Sequence, residues 1–194
     1  MVIGVLALQG GFQAHRKTLD ALGVATVEVR LLSDLHHLNG LILPGGESST
    51  MLKLLEREDL FAEIGQLGKN GLPVLGTCAG AILMCGKVIG SGQKSFGFIP
   101  AAIERNAYGC QRESFETSFP ISAWGLDQVH ALFIRAPRFT ELHKEVAVLS
   151  TLGEDVTGIQ YKNYTAVTYH PELTADVSFH RAWLKQNRIL EEDR

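Results

Sequence analysis

Cys78 lies in Gly76-Thr77-Cys78-Ala79-Gly80, between the apolar runs Pro73-Val74-Leu75 and Ala81-Ile82-Leu83-Met84. Small residues on both sides permit a sharp strand-to-helix corner that pushes one side chain out of the sheet's end. This is the pattern G-x-S-x-G with sulfur in place of the hydroxyl. Such a corner leaves the N–H after the nucleophile free at a helix start, where negative charge is favoured. A cysteine between glycines is also often a small core residue, so the assignment turns on partners elsewhere in the chain.

His170-Pro171-Glu172 supplies the first partners. In extended chain, residues i and i+2 point the same way, so the imidazole and carboxylate share a side as the chain leaves a strand. A thiol with a pKa near ~8.5 is mostly protonated at neutral pH, and a neighbouring imidazole makes the thiolate accessible. The imidazole in turn needs a carboxylate to fix its tautomer and stabilise its cation. Cys78, His170 and Glu172 would fill these roles in order. The plainer alternative is a strand-ending histidine and a solvated glutamate; Pro171 and the buried strand before it weigh against that. A zinc site from the same three residues is conceivable by ligand type, but the corner around Cys78 favours a nucleophile.

Gly45-Gly46-Glu47-Ser48 follows the run Leu41-Ile42-Leu43-Pro44. Two glycines let backbone approach a ligand and turn N–H groups toward an oxyanion. Ser48, Ser49 or Thr50 would cap the helix that follows; a tight turn with a capped helix is the bland reading of the whole segment. Arg105 and Arg135 sit beside or within apolar runs, so they are candidate anchors for an anionic substrate. His36-His37 reads as a surface pair. No P-loop or G-x-G-x-x-G follows a strand, so no nucleotide site is indicated.

These residues need a scaffold that gathers strand ends. Val2 to Leu8 is near-continuously apolar, the mark of a strand buried on both faces. Phe12 to Leu22 reads as a helix with Gly23 after its end. Strands are expected at 24–31, 41–44 and 72–76, with helices from 48 to 55 and 59 to 69. The alternation predicts an α/β fold, doubly wound, with a mostly parallel central sheet flanked by helices. Ligands bind such sheets at the strands' carboxyl ends, where Leu8-Gln9-Gly10, Pro44-Gly45-Gly46 and Thr77-Cys78 all fall. Residues 88–134 read as antiparallel additions, with strands at 98–103 and 129–134 and a long connection at 105–116. A hairpin at 146–149 and 157–160, a last strand at 166–169 and a closing helix at 176–188 complete the chain.

The 194 residues suit one domain spanning 1–194. Hydrophobic residues make up 45% and charged residues 20%, with a net charge of −3 and no basic run beyond Arg16-Lys17. Nothing suggests a nucleic-acid surface, which needs clustered basic charge. The apolar segments are too short to span a bilayer. Three cysteines without C-x-x-C spacing, and no basic region ahead of the first strand, point to a cytoplasmic protein without disulfides.

Taken together, GTCAG at 76–80, PGGES at 44–48 and HPE at 170–172 resemble the class I, triad-type glutamine amidotransferases. GVLALQG (4–10), GLILPGGESSTM (40–51), ERNAYG (104–109), ESFE (113–116), FIRAP (133–137) and HPELT (170–174) narrow the resemblance to the glutaminase subunits of pyridoxal 5′-phosphate synthases. These stretches run nearly end to end. The resemblance implies hydrolysis of L-glutamine to glutamate and ammonia through a Cys78 thioester, with no cofactor and no metal. It implies a glutamine pocket of Gly46, Glu47, Ser48, Arg105, Ile134 and Arg135, and an oxyanion site from the N–H groups of Gly46 and Ala79. It further implies a synthase partner, typically a dodecamer, that receives the ammonia for vitamin B6 synthesis. Tyr108 and Cys110 depart from the family pattern. A glutaminase of histidine or anthranilate biosynthesis would lack the ERN and FIRAP stretches, and a DJ-1/PfpI-like cysteine protein would lack the glutamate of HPE.

Overall fold

Runs that are apolar without interruption have to bury both faces, and in this chain they line up as parallel neighbours. The computed structural model describes residues 1–105 and 114–191. The first half runs β1 (Val2–Leu6), α1 (Phe12–Ala21), β2 (Ala25–Val29), β3 (Gly40–Leu43), α2 (Ser48–Arg57), α3 (Leu60–Lys69), β4 (Val74–Thr77) and α4 (Ala79–Met84). The second half runs β5 (Cys85–Ile89), β6 (Ile99–Glu104), β7 (Phe115–Ile121), β8 (Leu126–Phe133), β9 (Arg138–Leu142), β10 (Ala147–Leu152), β11 (Asp155–Tyr161), β12 (Tyr164–Val167) and α5 (Ser178–Gln186). Among the described residues, seven strands form the main sheet in the order β10-β11-β12-β4-β3-β1-β2. The five from β12 to β2 are mutually parallel, and the β10–β11–β12 edge is antiparallel.

The strand period sorts the core. Leu41 and Leu43 enter one buried cluster with Met51, Leu55 and Ile64 of α2 and α3. Ile42, between them, enters the other with Leu19 of α1 and Phe179 and Trp183 of α5. Successive side chains thus serve helices on opposite faces. No helix among the described residues is long and apolar enough to cross a membrane.

One feature departs from the sequence reading. The additions expected as antiparallel over 88–134 are not all so: β5 pairs parallel with β6, whereas β6–β9 and β7–β8 run antiparallel. The apolar run after Cys78 is helix to Met84, as its length implied. Val88 and Ile89, stiff at χ1, pair better on a sheet than in a helix, and Cys85 starts the strand fully buried. The departures at Tyr108 and Cys110 lie outside the described residues.

Close packing fixes one corner of the fold. A Cβ added at Gly80 would stand 1.9 Å from the Leu43 carbonyl oxygen, a backbone atom at the end of the neighbouring strand. Gly65, inside α3, has open room: its nearest neighbour would be Phe96 Cδ1 at 3.9 Å. Gly80→Ala should therefore destabilise by about 3 kcal/mol or more, as overpacking against an immovable group does. Gly65→Ala should stabilise by roughly 0.5–1 kcal/mol through helix propensity. Urea unfolding checks both, and equal effects would refute the packing at the corner.

Candidate active site

The corner at Cys78 is strained. Its backbone sits at φ 47° and ψ −101°, a region that non-glycine residues avoid and that costs on the order of 1–3 kcal/mol. Backbone bonds hold it there: Cys78 N–H donates to the Val167 carbonyl at 2.9 Å, and the Cys78 carbonyl accepts from Ile82 N–H at 3.2 Å. That second bond is the first of α4, so the Ala79 N–H ahead of it is not used by the helix. Cys78 is 8% exposed, open at one side to a cavity of about 370 Å3 at the carboxyl ends of the parallel strands.

His170 reaches that cavity three residues beyond β12. A backbone bridge to β8 pins it, with His170 N–H donating to the Leu132 carbonyl at 2.8 Å. Its Nδ1 lies 2.8 Å from Glu172 Oε1, and His170 and Cys78 line the same cavity. With Nδ1 taken, Nε2 is the nitrogen left for sulfur. The ring is wedged against the Gly45 backbone, where an added Cβ would stand 2.2 Å from His170 Cε1. The turn after β3 and the imidazole therefore fit each other only through glycine.

Burial pushes the His170 imidazole down, but hydrogen bonds to Cys78 and Glu172 and the charge beside it outweigh this and raise it to about 10. Burial pushes the Glu172 carboxyl up; the nearby imidazoles His15 and His170 and the His170 hydrogen bond pull it down to about 2. His15 is itself driven toward its neutral form by burial. At neutral pH the positive charge facing Glu172 is therefore that of His170. A cysteine sulfur, an imidazole that holds a proton and a carboxylate are the equipment for nucleophilic attack on a carbonyl carbon with proton transfer to the leaving group. Glu172 addresses His170 itself, which is the geometry of a proton-transfer pair.

The remaining candidates except Ala79, which is buried at the start of α4, line the same cavity: Gly46, Glu47, Ser48, Arg105, Ile134 and Arg135 join Cys78, His170 and Glu172 there. Arg105 donates from Nη2 to Glu47 Oε1 at 2.8 Å and from Nη1 to Gln93 Oε1 at 3.1 Å. Ser48 is buried, and its hydroxyl does not cap α2; it donates to the same Gln93 oxygen at 3.1 Å. The N-cap position falls on Glu47, without a side-chain cap. Arg135 is exposed with φ 43°, a second strained residue on the rim. Gln9, on a loop expected at the crevice, accepts from Glu47 N–H at 3.0 Å. Three residues with a part in the site were not found from sequence: Gln93 and the buried His15 and His180. A readable signal existed for the histidines. His15 lies three residues from Phe12 and four from Leu19, and His180 three from Trp183, so each shares the apolar face of its helix.

The sequence matches the model of the SNO glutamine amidotransferase family over residues 5–188. It is 46% identical over 185 residues to the pyridoxal 5′-phosphate synthase subunit PdxT of Desulforamulus reducens, covering 95% of this chain and 98% of that one. Identity to PdxT of Thermotoga maritima is 45%, with the same coverage. The chain belongs to the SNO glutamine amidotransferase family. A solved structure titled glutamine amidotransferase superposes with a TM-score of 0.91 at 40% identity, covering 97% of this chain and all of that one. A putative GMP synthase protein of Thermoplasma acidophilum, 20% identical over 97% of this chain and 94% of its own, shares the fold at a TM-score of 0.70. For a glutamine amidotransferase of the SNO family the central sheet and its crossovers are thus the family's scaffold, and the parallel-sheet expectation holds.

The two shifts act on stability in opposite pH windows. The Glu172 carboxyl lies below its ordinary 4.5, so its contribution is complete above 4.5 and drains away as pH falls toward about 2. The His170 imidazole lies above its ordinary 6.5, so its contribution is complete below 6.5 and is lost as pH rises through about 10. Urea midpoints measured against pH should fall on both sides of that plateau. Glu172→Gln should flatten the acid limb and shrink the alkaline one, because His170 loses its carboxylate. An acid limb identical to wild type would contradict the pairing.

Proposed function

We propose that this chain is the glutamine-hydrolysing subunit of a pyridoxal 5′-phosphate synthase. The observation that carries the reading is the Cys78–His170–Glu172 line opening into a cavity rimmed by Gly46, Ser48, Arg105 and Arg135. Family membership and the PdxT relatives support it.

In this reading His170 already holds the Cys78 proton as its imidazolium, and the sulfur attacks the side-chain amide carbon of L-glutamine. The amide oxygen becomes an oxyanion facing the N–H groups of Ala79 and Gly46. His170 returns the proton to the amide nitrogen, the C–N bond breaks, and ammonia leaves a glutamyl thioester on Cys78. Water then attacks the thioester carbon with His170 as base, and glutamate departs as the thiol is restored. Glu172 holds the imidazole's orientation and its cation throughout. Glu47, Ser48, Arg105, Ile134 and Arg135 form the glutamine pocket, with the arginines meeting the substrate's carboxylate. The ammonia passes to a synthase subunit, expected as a dodecameric core, and no cofactor of the chain's own takes part. Such a subunit works in the cytoplasm.

Glutamate release, measured with and without a pyridoxal 5′-phosphate synthase subunit, tests the reading. Wild type with the partner should turn over, and Cys78→Ala should lose at least about 1,000-fold in kcat. Arg135→Ala should raise the KM for glutamine about 10-fold, the value of one charged hydrogen bond, with kcat little changed. Turnover of the alanine variant at the wild-type rate would remove Cys78 as nucleophile. A KM unmoved by Arg135→Ala would remove that arginine from the pocket.

A further inference from the structure

The line of catalytic groups continues behind Glu172 into the protein. His15 from α1 and His180 from α5 are both fully buried. His15 Nδ1 lies 2.9 Å from His180 Nε2, with the rings edge-on at 5.2 Å between centroids. His15 Nε2 lies 3.2 Å from Thr77 Oγ1 and 3.5 Å from Glu172 Oε1. The Thr77 hydroxyl, one residue before the nucleophile, lies 3.5 Å from that same oxygen. Glu172 Oε1 is thus the meeting point of His170, Thr77 and His15, whereas buried Oε2 has no hydrogen-bond partner among the described residues.

Proton accounting selects one tautomer. Were His15 to donate from Nδ1 to His180, then His180 Nδ1 would carry a buried hydrogen with no acceptor, since that atom has no partner among the described residues. Orphaned buried donors are rarer than under-satisfied acceptors. With His180 Nε2–H donating to His15 Nδ1, His180 Nδ1 is left as a bare lone pair, and His15 Nε2–H points to Thr77 and Glu172. We propose that His15, held by His180 in the Nε2–H tautomer, is a positioning residue for the glutaminase reaction, fixing Glu172 Oε1 from the helix side while His170 holds it from the cavity side. The proposal rests on the glutaminase reading for its catalytic meaning.

Neutrality is the point of using imidazoles here. Burial lowers His15, helped by His170 and opposed by Glu172. Burial and His15 lower His180 to about 3, against the pull of Glu172 and Asp176. The pair therefore sets a neutral His15 N–H against Thr77 and 3.5 Å from Glu172 Oε1, without a competing positive charge. A lysine or arginine there would pair with the carboxylate and release the hold on the His170 cation. A neutral donor steadies the carboxylate and leaves its charge for His170.

The test compares His15→Gln, whose amide N–H reaches as far as Nε2, with His15→Asn, whose amide stops at the Nδ1 position. Each full-length variant is assayed for glutamate release with the synthase subunit. Each is also alkylated with iodoacetamide across pH, with the adduct mapped to the Cys78 peptide by mass. His15→Asn should lose about 10-fold in kcat with KM within 2-fold, the size seen when an outer partner of an active-site group is removed. Its Cys78 alkylation midpoint should rise by about 1 pH unit, a 10-fold loss of thiolate at fixed pH. His15→Gln should recover both. His15→Asn matching wild type in kcat and in alkylation profile would overturn the proposal. Nitrogen-15 histidine NMR of the wild type needs no variant and decides alone if neither variant folds: His15 protonated on Nε2 supports the proposal, and on Nδ1 overturns it. If wild type with the synthase subunit releases no glutamate while the alkylation shift persists in His15→Asn, the positioning role stands and the glutamine reading falls.

Discussion

Glu172 carries a charge with no exposed side-chain surface, joined to His170 by a 2.8 Å hydrogen bond. An ionised carboxylate taken out of water costs several kcal/mol unless its charge and lone pairs are met. The surroundings follow from that requirement. His170 has to be a cation and stay close, so its backbone is clamped to β8 and its ring is packed against Gly45. Thr77 and His15 approach the same oxygen as neutral groups. The outcome is an imidazolium fixed in the cavity that Cys78 faces, so the stability of a buried ion pair and the readiness of the nucleophile come from one interaction.

The position of β4 explains why three chemical parts meet. It lies between β3 and β12 in a run of parallel strands, so all three end on the same edge. β4 ends at Cys78, β3 leads into the Gly45-Gly46 turn, and β12 leads into His170. Strain at Cys78 is tolerable because that strand is the best supported: Cys78 N–H bonds to Val167 on one side, and Gly80 sits against Leu43 on the other. An edge strand could not brace such a corner from both sides.

What the sequence made legible was whatever is local and periodic. Continuous apolar runs marked β1, β3 and β4, and the glycine-flanked cysteine and His-x-Glu marked the triad before any distance was known. Apolar flanks marked Arg135 as an anchor, and resemblance to a known family added Ile134 to the pocket. The pairing of β5 with β6 was not legible, because Gly86 and Lys87 carry no pattern and the parallel register depends on where the chain lands. His15 and His180 were passed over for a different reason. Each lies on an apolar helix face, where a polar residue is readable as an anomaly, but 165 residues separate them. Nothing local says that α1 and α5 cover the same face of the sheet. Ser48 was one of three cap candidates as well as a pocket residue by resemblance, and its hydroxyl serves no cap but a long-range partner, Gln93.

Gln93 sharpens the view of the pocket rim. Its carbonyl oxygen accepts from both Ser48 and Arg105, so a neutral acceptor on the chain's own loop occupies the donors that a carboxylate would use. Arg105 also pairs with Glu47, which neutralises part of the guanidinium at the pocket mouth. A carboxylate arriving there would exchange a neutral acceptor for a charged one: the Ser48 bond would become charge-assisted and roughly twice as strong, whereas the Arg105 bond is charge-assisted already. The gain is the difference between the two bonds, smaller than the full value of an unpaired arginine. In return the guanidinium and hydroxyl are already oriented, so little side-chain freedom is lost on binding. A rim built this way gives up affinity for an anion and keeps geometry, which suits a site whose chemistry depends on placing one amide carbon against one sulfur.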